Sequence, residues 1–76
     1  MKVTLYTAPA CPFCIIAKKY LERNKIKFTE IGISKDKKAK EMMIRKSGQE
    51  NVPVIDVDGS IIIGYDLKKL KGALKI

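Results

Sequence analysis

A proline between two cysteines, in Cys11-Pro12-Phe13-Cys14, constrains the fold of this chain more than any other feature. Proline fixes φ at about −65° and has no N–H, so it suits the first position of a helix and interrupts a helix interior or a central strand. Val3 to Tyr6, upstream of it, are strand-favouring residues, with Ala8-Pro9-Ala10 as a tight connection. Downstream, Phe13, Ile16, Ala17, Tyr20 and Leu21 recur at three- and four-residue spacing, which predicts an amphipathic helix ending near Asn24. The motif therefore lies at a strand-to-helix junction. Two cysteines across the first turn of a helix stand about 5 to 6 Å apart between Cα atoms, within reach of a disulfide. They are the only two cysteines of the chain, which predicts a redox dithiol that opens and closes.

The remaining pattern supplies a platform for that pair. Ile26, Phe28 and Ile31 predict a second strand that closes a right-handed βαβ unit. Ser34 is a candidate N-cap for a second helix running to about Lys46, with Asp36 near its positive end, Ala39, Met42 and Met43 facing inward, and Ser47-Gly48 as its stop. Val52 to Val57 and Ile61 to Ile63 read as strands joined by Asp58-Gly59, a strong hairpin signal, and Leu67, Leu70 and Leu74 mark a last helix. The order βαβαββα predicts an α/β fold with a four-stranded mixed sheet flanked by three helices. The 76 residues contain no repeat or internal boundary and are expected to form one domain, residues 1–76, acting as a monomer.

Charge and cysteine usage narrow the function classes. The net charge is +8, but the lysines and arginines are spread over all three predicted helices. No aromatic stacking motif accompanies them, so they read as solvated helix faces and not as a nucleic-acid footprint. No apolar run approaches the length of a membrane span, and no signal-peptide pattern opens the chain. One close cysteine pair beside a βαβ pattern suits a reducing compartment, so a cytoplasmic location and no membrane partner are expected.

The two thiols are expected to differ in role. Unpaired N–H groups and the dipole at a helix N-terminus stabilise a thiolate, and Cys11 occupies that end. Cys14 lies one turn later, on the side leading toward the core, and is expected to act second. The chain has no histidine, so helix terminus, hydrogen bonds and basic surroundings must tune the pair. Pro12 and Phe13 could be a helix start and a packing residue; between two cysteines they also restrain the dithiol loop and flank the nucleophile with apolar surface. A C-x-x-C pair also supplies half of many zinc sites, but no second pair or histidine completes four ligands within the chain, and a metal or iron-sulfur site would require sharing between subunits. No tightly bound cofactor is expected.

Val52-Pro53 is a second candidate, because proline within a strand is confined to edges, starts and bulges. Read alone, it is a trans proline at a strand start. Taken together, Lys2 to Tyr6, Cys11-Pro12-Phe13-Cys14, Asn51-Val52-Pro53-Val54 and Ile63-Gly64-Tyr65-Asp66 resemble, in order and spacing, the glutaredoxin branch of the thioredoxin-like superfamily across essentially the whole chain. The resemblance implies a cis Val52-Pro53 bond facing the dithiol, with Val52 and Pro53 docking an extended peptide or glutathione. It likewise implies that Gly64 lets the chain pass close to a bound thiol substrate, with Tyr65 and Asp66 beside it and Asp66 touching a glutathione backbone. The implied activity is reduction of protein disulfides by thiol-disulfide exchange at Cys11 and Cys14. Many glutathione-using members carry a basic residue shortly before the first cysteine and a Gly-Gly pair after the last strand; Ala8-Pro9-Ala10 and Ile63-Gly64 stand here instead. The resemblance implies two possible electron donors, glutathione as co-substrate and a reductase of the thioredoxin reductase type.

Overall fold

The computed structural model describes residues 1–76. Its elements are β1 (Val3–Thr7), α1 (Pro12–Arg23), β2 (Thr29–Gly32), α2 (Lys37–Ser47), β3 (Val54–Val57), β4 (Ser60–Ile63) and α3 (Leu67–Leu74). The sheet order is β2-β1-β3-β4. β1 pairs in parallel with β2 and antiparallel with β3, and β3 pairs antiparallel with β4, so the sheet is mixed as expected. No helix is long and apolar enough to cross a membrane.

Alternation along the strands divides the interior in two. Val3 and Leu5 of β1, Ile55 and Val57 of β3, and Ile62 of β4 face one side, where Ala17 and Leu21 of α1 and Leu70 and Leu74 of α3 cover them. Tyr6 and Val54 face the other side and pack with Ile33 and with Ala39 and Met43 of α2. β3 is buried along its whole length because both of its faces are covered. Asp58 and Gly59 carry φ of 50° and 93°, the left-handed pair that a two-residue hairpin of matching twist requires.

Several boundaries and faces differ from those expected from sequence, each for a local reason. α2 is capped by Asp36 and not by Ser34: the Asp36 carboxylate accepts the Ala39 N–H at 3.0 Å, while Ser34 lies in the turn closed by Lys35 N–H and the Gly32 carbonyl. The helix runs one residue further, to Ser47, before Gly48 ends it with φ of 74°. Met42 is 52% exposed and does not face inward, because Ala39 and Met43, four apart, already fill the contact with the sheet. β2 starts only at Thr29; Ile26 and Phe28 pack against the α1 and α3 core from the preceding loop. β3 starts at Val54, so Val52 and Pro53 lie before it.

One charged group is sunk into the α2 face. Asp56 is 8% exposed, and its carboxylate meets Lys46 Nζ at 2.7 Å and the Gly59 N–H at 2.7 Å. Burial pushes this carboxyl up, but the Lys46 hydrogen bond, the Gly59 N–H and the charges of Lys46 and Lys2 together hold it below the ordinary aspartate value. A carboxylate held below its unfolded value stabilises the fold above that value, and the contribution is lost as pH falls through the folded one. Asp56→Asn should therefore lower stability at pH 7 by about 1 kcal/mol, given that Lys46 is partly solvated. Urea unfolding should show the wild-type advantage shrinking below about pH 4; a gap of equal size at acid and neutral pH would contradict this role for Asp56.

Candidate functional site

The dithiol stands where the central strand hands over to α1. Ala10, with φ of 55°, turns the chain after β1, and Cys11 takes extended angles as the N-cap of α1 with Pro12 at the first helical position. Cys11 and Cys14 are disulfide-bonded with 5.3 Å between their Cα atoms, in the range expected from the spacing. The Cys14 N–H donates to Cys11 Sγ at 3.2 Å. The same kind of bond caps the other two helices, where the Ala39 N–H donates to Asp36 and the Lys69 N–H donates to Asp66. Where carboxylates cap α2 and α3, sulfur caps α1. That position favours negative charge on the sulfur.

Exposure separates the two thiols. Cys14 is 4% exposed and lies on the inward face of α1 with Ala17 and Leu21, whereas Cys11 is half-buried. Phe13 and Ile16 depart from the predicted core stripe: they are 60% and 43% exposed, because Cys14, Ala17 and Leu21 make the helix's contact with the sheet.

Val52-Pro53 is cis, as the resemblance implied and against the reading of the dipeptide alone. It faces the dithiol, with the Val52 carbonyl oxygen 3.9 Å from Cys11 Sγ. Gly64, with φ of 74°, donates its N–H to the Pro53 carbonyl at 2.8 Å and so ties the β4 to α3 loop to the proline. A Cβ at Gly64 would meet nothing, so it is the left-handed backbone that selects glycine there. Tyr65 comes next, half-buried, its ring edge-on to Tyr20 of α1. The structure thus brings Cys11, Pro12, Phe13, Cys14, Val52, Pro53 and Gly64 around one end of the sheet, while the Tyr65 ring turns to Tyr20 along α1. Asp66 adjoins them and is engaged as the N-cap of α3.

Three side chains beside the dithiol were not singled out from sequence. Thr7, Lys18 and Glu30 line a small cavity with Cys11 and Cys14. Thr7 Oγ1 donates to Glu30 Oε2 at 3.2 Å, and Lys18 Nζ meets Glu30 Oε1 at 3.0 Å. The hydrogen bond that Lys18 donates to Glu30, then the charge of Glu30, holds the Lys18 ammonium above the usual lysine value. The four-residue step from Cys14 to Lys18 was a usable signal. The approach of Glu30 was not, since it depends on the parallel register of Leu5 with Glu30. No group of three or more histidine, cysteine, aspartate or glutamate residues is gathered to hold a metal.

A mixed sheet with a dithiol at a helix N-terminus opposite a cis proline defines a thioredoxin-fold thiol-disulfide oxidoreductase. A family model described as Glutaredoxin matches residues 3–62. A glutaredoxin-like 8.6 kDa protein of the rubredoxin operon of Clostridium pasteurianum is 39% identical over 64 residues, which cover 84% of this chain and 85% of that one. Glutaredoxin 3 of Escherichia coli strain K12 is 38% identical over 64 residues, 84% of this chain and 77% of that one. Among solved structures, the glutaredoxin of Archaeoglobus fulgidus superposes with a TM-score of 0.89 at 30% identity, covering 97% of this chain and 86% of that one. The chain belongs to the glutaredoxin family, and its activity is that of a thiol-disulfide oxidoreductase.

The cap assigned to Asp66 has a measurable consequence. Asp66→Ala should cost about 1 kcal/mol, and Asp66→Asn, which keeps a cap, only a few tenths. Equal loss in both variants by chemical denaturation would show that charge, and not the hydrogen bond to Lys69, is what counts.

Proposed function

We propose that the protein reduces protein disulfides, with Cys11 as nucleophile and Cys14 as resolving thiol. The observation that carries this reading is the 3.2 Å bond from the Cys14 N–H to Cys11 Sγ, which aims helix-terminal positive potential at the more exposed sulfur. In the reduced protein the Cys11 thiolate attacks one sulfur of a substrate disulfide. A Cys11–substrate disulfide forms, the substrate S–S bond breaks, and the departing thiolate takes a proton. Cys14 then loses its proton and attacks Cys11 Sγ, releasing the second substrate thiol and leaving Cys11 and Cys14 oxidised. Two electrons have passed to the substrate.

Val52, outside the β3 ladder, offers its backbone to an extended substrate beside Cys11, with Pro53 as the docking wall behind it. Pro12 and Phe13 form the apolar flank, and Gly64, Tyr65 and Asp66 border the opposite side. The Cys11–Cys14 disulfide must be reopened by two glutathione molecules or by a dithiol of a flavoprotein reductase of the thioredoxin reductase type. A lone dithiol that is repeatedly reopened suits a reducing compartment such as the cytoplasm.

Cys11→Ser should reduce insulin disulfides no faster than the uncatalysed background. Cys14→Ser should accumulate a mixed disulfide with substrate, visible as a mass adduct removed by dithiothreitol. Full insulin reduction by Cys11→Ser would end the assignment of roles. Oxidised protein offered glutathione with glutathione reductase, or NADPH with thioredoxin reductase, should be reduced faster by the second pair, because the basic residue of many glutathione-using members is absent at Ala8 to Ala10. Faster turnover with glutathione would reverse that preference.

A further inference from the structure

α1 carries a second stripe beside its buried one. Ile16, Lys19, Tyr20 and Arg23 recur at three- and four-residue steps, and with Tyr65 they line a groove of about 210 Å³. The Tyr20 and Tyr65 rings, 6.2 Å apart between centroids and inclined at 73°, pack edge to face within it. Phe13 extends the apolar surface toward the dithiol, three residues before Ile16. At the far end Lys19 and Arg23 are exposed, and neither belongs to the two ion pairs of the molecule, which engage Lys18 and Lys46. No acidic residue lines the groove.

We propose that this groove binds an acidic segment of the disulfide-bearing client protein, running from the cysteine attacked by Cys11 along the outer face of α1. The inference rests on the disulfide-exchange reading and names the substrate class for it. Charge complementarity selects the occupant: apolar side chains fit against Phe13, Ile16 and the tyrosine pair, and carboxylates meet Lys19 and Arg23. Reach selects its length. At 1.5 Å per residue, Lys19 and Arg23 lie about 12 and 18 Å along the helix from Cys11. An extended chain covers that span in about four to five residues. Glutathione has a single residue on either side of its cysteine and ends well short of Arg23, so this end of the groove serves a protein segment.

The test uses pre-reduced wild-type protein and two peptides, each dimerised through one cysteine, with Asp-Glu or Asn-Gln at positions four and five on both sides of it. Single-turnover reduction of the acidic peptide should be about tenfold faster at low salt, the advantage falling below about twofold near 1 M salt. In Lys19→Glu/Arg23→Glu the acidic-to-amide ratio should fall to one or below. That ratio is internal to each protein, so a general loss of folding or thiol reactivity does not move it. Equal rates for the two peptides with wild type, or a preference that survives charge reversal or high salt, would overturn the groove while leaving disulfide exchange standing. Hydroxyethyl disulfide, uncharged and too small to reach the groove, is reduced by wild type if the exchange reading holds. Its failure together with both peptides would overturn that reading and the groove with it.

Discussion

The hydrogen bond from the Cys14 N–H to Cys11 Sγ couples the start of a helix to the chemistry of a thiol. In α2 and α3 the corresponding acceptor is an aspartate side-chain oxygen. α1 has the same architecture with a group that becomes an anion only when reduced. The donor belongs to the backbone of the second cysteine, so whatever fixes α1 against the sheet fixes both sulfurs at once. Cys14, Ala17 and Leu21 provide that anchor, with Leu21 and Ala17 fully buried against Val3 and Leu5. A rotation of the helix that exposed Cys14 would lift Leu21 out of the core, at a cost of about 2 kcal/mol or more for a buried leucine.

A second scaffold holds the opposite wall. Ser47 Oγ donates to the Met43 carbonyl and is joined to Gln49, and Gln49 in turn bonds the backbone of Asn51 on both its N–H and carbonyl sides. The segment between α2 and β3 is thereby shaped before it reaches Val52-Pro53. From the other direction, the Gly64 N–H grips the Pro53 carbonyl. The proline wall is therefore braced by α2 on one side and by the β4 to α3 loop on the other. α1 positions the sulfurs independently, and the two halves meet at the 3.9 Å approach of the Val52 carbonyl to Cys11 Sγ.

How much of this was legible in sequence depends on how local the determining interaction is. The seven elements, the left-handed Asp58-Gly59 hairpin and the unequal exposure of the cysteines arise from turn chemistry and short spacings, and they can be read directly. The choice of Asp36 over Ser34 as a cap could not, since both are good caps and the turn at Gly32 to Lys35 decides between them. The cis proline was readable only through the resemblance of three separated motifs. Glu30 beside the dithiol and Lys46 beside Asp56 depend on strand register and on where α2 lies over the sheet, which no local pattern encodes.

The apolar stripe of α1 is the instructive case. Phe13, Ile16, Ala17, Tyr20 and Leu21 form one run of helical spacing, yet the structure divides it between the core and a surface groove. Periodicity cannot separate these, because a helix that packs on a sheet and a helix that presents a groove use the same 3.6-residue geometry. The neighbours one turn further along the helix do separate them. Ala17 continues to Leu21, and the line stays apolar; Ile16 continues to Lys19, Tyr20 and Arg23, so its apolar line ends in charge. A stripe that ends in unpaired cations has no place in a core, where each charge would need a partner. Exposed apolar side chains grouped beside the Cys11–Cys14 pair are also unlike the scattered ones normal on a surface. Small size explains why one helix carries both faces: with three helices and one sheet, the helix that buries Cys14 is also the one that borders Cys11.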